Sequence, residues 1–243
     1  MMRLSFAPLA AALFAVSAPV VAAPTPVLLK AADGVVVHGA YYKARAPKAL
    51  ILLFHQAGSS KDEYATIAPR LVEAGYSAMA IDQRSGGDLF GPNQTAAALG
   101  HKADYLEARA DLEAAVRWGE AQKLPVILWG SSYSASLVFL AAANHPELKA
   151  VLAFSPGEYF DDKNMVKQAA AKVRVPVYVT SASDPEEIAA AKSILAASPA
   201  TVKVQFVPKA GVHASSTLLP ARNPKGAAAN WPPVLVFLRR VAG

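Results

Sequence analysis

The stretch LPVILWGSSYSAS, Leu124 to Ser136, constrains the chain more than any other. An apolar run ends in Gly130-Ser131-Ser132-Tyr133-Ser134, and a helix-forming segment follows at once. That order predicts strand, sharp turn and helix with a serine at the apex. Such a turn holds the serine in strained backbone and lifts its hydroxyl clear of the sheet. The positions two before and two after must be small, because strand and helix backbones pass close there. Gly130 and Ser134 meet this requirement around Ser132, in a G-x-S-x-G pattern with serine in place of the second glycine. A shifted register would put Ser134 at the apex between Ser132 and Ser136, without glycine at the close approach. An ordinary strand-to-helix turn with serine as helix cap is the plainer alternative.

Other bulk features narrow the field. The 243 residues suffice for one domain with a single large core. A hydrophobic share of 53% argues against disorder. The formal charge of +6 is spread along the chain, with no basic run interleaved with aromatics, so nucleic acid is not an expected partner. Cysteine is absent, which excludes a thiol nucleophile, thiolate metal sites and disulfides. No H-E-x-x-H, G-x-x-x-x-G-K-[ST] or G-x-G-x-x-G occurs, so neither a metal nor a cofactor is expected.

Residues 1–23 carry Arg3, an apolar stretch from Leu4 to Val21 and a small-residue exit at Ala22-Ala23. This is the layout of a secretory signal peptide, cut after Ala22 or Ala23. Pro24 disfavours a cut directly before it, so Ala22 is preferred. Pro8 and Pro19 interrupt the run and weigh against an uncleaved anchor. The expectation is a secreted or periplasmic protein with no stable membrane span, folded as one domain over 24–243.

From there the pattern alternates. Val27 to Lys30 and Val35 to Tyr42 predict a hairpin turned at Ala32-Asp33-Gly34. Strands are predicted at 49–54, 76–81, 124–129, 150–154, 175–180 and 202–207. Helices are predicted at 60–74, 104–122, 133–144, 162–172, 185–197 and 231–241, the last with Pro232 and Pro233 near its start. Gly86 to Lys102 reads as loop. Alternation predicts an α/β fold: a doubly wound, mostly parallel sheet with N-terminal antiparallel strands and helices on both faces. Right-handed crossovers then align the strand C-termini along one edge, where such sheets build their sites.

Polar clusters follow the strands at that edge: His55-Gln56-Ala57-Gly58, Asp82-Gln83-Arg84, the Ser132 turn, Ser181 to Asp184, and Gly211-Val212-His213. A serine nucleophile needs a base for its proton and an acid to orient that base. Asp184 and His213 supply them in the order Ser, Asp, His. Asp184 also qualifies as a helix cap ahead of Pro185. Asp82 and Arg84 read as an internal ion pair. His38, His101 and His145 lie in a strand, a loop and beyond a helix end.

With these residues in place, the chain resembles the α/β-hydrolase family, in particular its small dienelactone-hydrolase-like enzymes and minimal serine esterases. The likeness spans Val27 to the C-terminus. Two departures stand out: His55-Gln56 where many members have His-Gly, and serine where dienelactone hydrolases proper use cysteine. The resemblance implies Ser132, His213 and Asp184 as triad, with Glu158, Asp161 and Asp162 as competing acids. It implies an oxyanion hole from the backbone N–H of Tyr133 and of Ala57 or Gln56, and a structural His55 pinning that loop. The implied substrate is a small-molecule carboxylic ester or related acyl compound. A peptidase, thioesterase or perhydrolase on the same triad, or a non-catalytic binding protein on this scaffold, remain the alternatives.

Overall fold

The computed structural model describes residues 23–243; the expected signal peptide, residues 1–23, falls almost entirely outside them. Eight strands form one sheet: β1 (Thr25–Lys30), β2 (Val36–Tyr42), β3 (Leu50–Phe54), β4 (Ser77–Ile81), β5 (Val126–Ser131), β6 (Ala150–Phe154), β7 (Val177–Thr180) and β8 (Lys203–Phe206). Their spatial order is β1-β2-β4-β3-β5-β6-β7-β8. β1 pairs antiparallel with β2, and β2 with β4; every later pairing is parallel. The mostly parallel sheet with antiparallel N-terminal strands is the fold class expected above.

The central strands are apolar throughout because both faces are covered. Leu50, Leu52 and Phe54 of β3 join one core cluster, and Ile51 and Leu53 join the other. Helices α3 (Arg109–Ala121), α4 (Tyr133–Ala142), α5 (Met165–Ala170) and α6 (Pro185–Ala197) supply the first cluster, whereas α1 (Ile67–Glu73) and α7 (Ala227–Ala242) supply the second. In β5, Leu128 and Trp129 point to opposite clusters in the same way.

Several boundaries differ from those predicted. The stretch 60–74 splits into a 3-10 turn, Lys61–Tyr64, and α1. Ser60 caps the turn by accepting the N–H of Asp62. The predicted loop 86–102 contains a short helix, α2 (Gln94–Leu99), capped by Asn93 through the N–H of Ala96 and ended by left-handed Gly100. α7 starts at Ala227, four residues before the predicted start, so Pro232 and Pro233 sit inside the helix rather than at its first turn.

The ion pairing also differs. Asp82 is bridged to Lys61 at 2.8 Å, not to Arg84. Arg84 instead pairs with fully buried Asp111 at 2.8 Å and with Asp33 of the β1–β2 turn. Asp82 is taken up by the N–H groups of Lys61 and Gln94, at 2.8 and 2.9 Å, which with the Lys61 ammonium occupy its carboxylate.

Candidate active site

β5 runs into α4 through Ser132, whose φ of 59° and ψ of −124° lie in a region L-residues rarely occupy. The surroundings over-determine this conformation. Ser132 N–H donates to the Phe154 carbonyl at 2.8 Å, and its own carbonyl accepts from Ala135 N–H at 2.8 Å. Gly130 permits the crossing of strand and helix: a Cβ there would overlap the Ser134 carbonyl and meet Ala135 Cα at 2.6 Å. Gly130→Ala is therefore expected to destabilise the fold by roughly 2–4 kcal/mol through overpacking of backbone. A melting temperature within 2 °C of wild type would contradict that crossing.

Ser132 is 7% exposed and its Oγ lies 2.7 Å from His213 Nε2. His213 follows β8, is 43% exposed in its side chain, and lies 2.8 Å through Nδ1 from Glu187 Oε1. With Nδ1 protonated toward the carboxylate, Nε2 is free to accept the Ser132 proton. The rival Ser134 is fully buried; its hydroxyl donates to the His55 carbonyl at 2.6 Å and accepts from Gln83 Nε2 at 2.8 Å. It has no access to a substrate.

The acid beside His213 is Glu187, which corrects the expected pairing with Asp184. Asp184 is the N-cap of α6; its Oδ1 accepts the N–H groups of Glu186 and Glu187 at 2.9 and 3.1 Å. A carboxylate turned onto its own helix is not available to a histidine on another loop. One turn further on, Glu187 projects back toward the strand ends. The other candidates are likewise committed elsewhere. Glu158 accepts the N–H groups of Val166 and Lys167 at 2.9 Å each. Asp162 accepts Asn164 N–H at 2.9 Å, and Asp161 is exposed. Burial pushes the Glu187 carboxyl up, but hydrogen bonds from His213, Ser155 and the Ala182 N–H outweigh it and hold the group at about 2.

Tyr133 begins α4, so its N–H lies at a helix N-terminus beside the Ser132 hydroxyl. Of the two candidate loop donors, Gln56 is removed: its N–H donates to Glu63 Oε2 at 2.8 Å. That leaves the Ala57 N–H as the candidate from this loop. His55 is fully buried, with Nε2 accepting Gln83 N–H at 2.9 Å and Nδ1 directed at the Gln56 carbonyl at 2.8 Å. Burial lowers its pKa to about 4, so it stays neutral and braces the loop. Tyr159, 36% exposed, stands at the mouth and donates to the Ser155 carbonyl at 2.8 Å.

Two residues of the site escaped the sequence analysis. Glu187 reads as a first-turn helix acid behind a strong Asp-Pro cap. Glu63 reads as another first-turn acid. Among the described residues there is one group of potential metal ligands: Glu120, His145 and Glu147 bring ligand atoms within 4.8 Å. It precedes β5 and β6, at the sheet edge opposite Ser132, and His145 already contacts Glu113 and Glu147 at 2.7 and 2.8 Å. Among the described residues, no helix is long and apolar enough to cross a membrane.

A serine at the strand–helix elbow, with a histidine after the last strand of this sheet, marks an α/β hydrolase. Solved structures agree on the fold. A dienelactone hydrolase from Anabaena variabilis superposes with a TM-score of 0.71, covering 91% of this chain and 100% of its own at 19% identity. An esterase from Pyrococcus furiosus gives 0.69, with 90% and 93% coverage at 18% identity. A carboxyl esterase from Bacillus coagulans gives 0.69, with 91% and 100% coverage at 12% identity. Comparison with curated proteins gives no match. The family profile described as serine aminopeptidase, S33, matches residues 45–214, and the chain belongs to that hydrolase family.

Proposed function

We propose that the protein is an exported serine hydrolase that cleaves a carboxylic ester or a related acyl bond through an acyl-enzyme. The observation that carries this is the continuous relay Ser132 Oγ to His213 Nε2 at 2.7 Å and His213 Nδ1 to Glu187 at 2.8 Å. Ser132 attacks the acyl carbon while His213 accepts its proton, and Glu187 stabilises the imidazolium that results. The N–H groups of Tyr133 and Ala57 face the developing oxyanion. The tetrahedral species collapses as His213 returns the proton to the leaving alcohol. Water, deprotonated by His213, then attacks the Ser132 ester and frees the acid and the serine.

Ester cleavage is favoured by the esterases among the structures of the same fold. The exposed His213 leaves room for a small substrate at the surface. Export rests on the pattern of residues 1–23. The test is labelling by a fluorophosphonate, followed by a panel of p-nitrophenyl esters, thioesters and an aminoacyl-p-nitroanilide. Labelling at Ser132 with fastest turnover of short esters is expected. Absence of labelling in folded protein favours a binding protein on this scaffold, and preference for the anilide favours a peptidase. N-terminal sequencing of the protein recovered from outside the cytoplasm checks the cut near Ala22.

A further inference from the structure

We propose that Glu63 is a positioning residue whose buried carboxylate holds the oxyanion loop, the nucleophile elbow and the base loop in register. This rests on the serine-hydrolase function proposed above. Glu63 lies on the 3-10 turn Lys61–Tyr64 and is 1% exposed. Its Oε2 accepts the Gln56 N–H at 2.8 Å, one residue before the Ala57 donor. Its Oε1 accepts the hydroxyl of Ser131 at 2.6 Å, one residue before the nucleophile. Ser131 Oγ in turn accepts the N–H of Ser215 at 3.0 Å, two residues beyond His213. One side chain thus ties together the three segments that meet the reacting carbonyl. Tyr64, next along the turn, donates to the Phe54 carbonyl at 2.7 Å and fastens the turn to the end of β3.

The chemistry of this position calls for two acceptors. Both neighbours donate, and Ser131 Oγ already accepts from Ser215. An ionised carboxylate satisfies both donors; an amide or a protonated carboxyl satisfies one and turns a second donor against the buried Ser131 hydroxyl. Burying a carboxylate is costly, and an apolar side chain would fill the same space without that cost. Burial pushes this carboxyl up to about 7, against hydrogen bonds from Ser131, Gln56 and Ser59 and the nearby His213, which lower it. The titratable groups bearing on it are His213 on the base loop and Tyr64 on its own turn. Protonation of Glu63 therefore falls in the working range, and Glu63→Gln mimics the protonated state.

The experiment compares wild type, Glu63→Gln, Glu63→Ala and Ser131→Ala for p-nitrophenyl acetate turnover and for inhibition by a phenylboronic acid, which forms a tetrahedral adduct on serine. At about pH 9, Glu63→Gln is expected to lose about tenfold in kcat, with KM within about threefold, and to bind the boronic acid about tenfold more weakly. The ratio of wild type to Glu63→Gln should shrink toward unity near pH 5, where wild type carries the proton too and both side chains are uncharged. Glu63→Ala is expected to lose about 100-fold in kcat. Ser131→Ala, which keeps the Gln56 bond, should lose less than Glu63→Ala. A folded Glu63→Gln with wild-type kcat at high pH, or a loss that does not change with pH, overturns the proposal. Should Glu63→Ala fail to fold, the Gln and Ser131 variants decide. Wild type that neither takes a fluorophosphonate nor turns over the ester overturns the hydrolase function itself, before any variant is compared.

Discussion

Ser132→Ala should abolish ester turnover, with kcat falling by on the order of 10⁵-fold or more while the fold survives. Two observations set this size. Ser132 Oγ is hydrogen-bonded to the base at 2.7 Å. Ser134, the neighbour that could have substituted for it, is buried and doubly hydrogen-bonded. The residual rate would come from the Tyr133 and Ala57 donors and from binding, neither of which the mutation touches. Stability should change by no more than about 1 kcal/mol, because alanine at φ 59° carries much the same strain as serine and removes only one partly solvated hydroxyl. Turnover, fluorophosphonate labelling and a melting curve measured on one preparation check it. Labelling that persists at wild-type rate in the folded variant would take the nucleophile role from Ser132.

The second large effect separates two acids three residues apart. Glu187→Gln is expected to lower kcat by about 10³–10⁴-fold, since the amide either presents an N–H to His213 Nδ1 or leaves the imidazole in the wrong tautomer. Asp184→Ala, by contrast, should cost about 1 kcal/mol of stability as a lost helix cap and leave kcat within a few-fold. The pH dependence adds a check. Glu187 is held at about 2, below its ordinary value, so the pair's contribution is fully present above the unfolded carboxyl pKa and is lost only as pH falls toward 2. Across about pH 6 to about pH 8 Glu187 therefore stays ionised, so its own titration adds no pH dependence to the loss in Glu187→Gln, whereas the titration of Glu63 does add one to the loss in Glu63→Gln. Equal kcat for Glu187→Gln and wild type, or a large loss in Asp184→Ala, would return the acid role to Asp184.

The contrast between these acids shows where sequence stops. Asp184-Pro185-Glu186-Glu187 announces a helix start, and the start is where the structure puts it. What local pattern cannot say is that capping exhausts Asp184. The cap needs its oxygen on the N–H groups of Glu186 and Glu187. The same geometry rotates Glu187, one turn later, toward the loop that carries His213. An acid after the seventh strand was legible; which of three acids faced the histidine was not. Glu63 was less legible still, because its partners lie 7 and 68 residues away in sequence. On a linear reading it is indistinguishable from an acid placed to favour a helix dipole.

By itself the sequence determined the architecture, the elbow and the histidine that faces it. Uninterrupted apolar runs such as Leu50–Phe54 require cover on both faces, and together with the strand–helix alternation this selects a mostly parallel sheet between helix layers. Gly130 before Ser132 is a steric necessity of the strand–helix crossing, so it is written locally. His213 follows from its place after the last strand. Only the tertiary structure decided which carboxylates serve the site and which serve the fold. Asp82 and Arg84 turned to Lys61 and to Asp111 with Asp33, Asp184 to its own helix, Glu187 to His213, and Glu63 inward to Ser131 and Gln56. A carboxylate's partner is settled by whichever donors packing brings within about 3 Å, and those donors come from segments whose meeting no local pattern encodes.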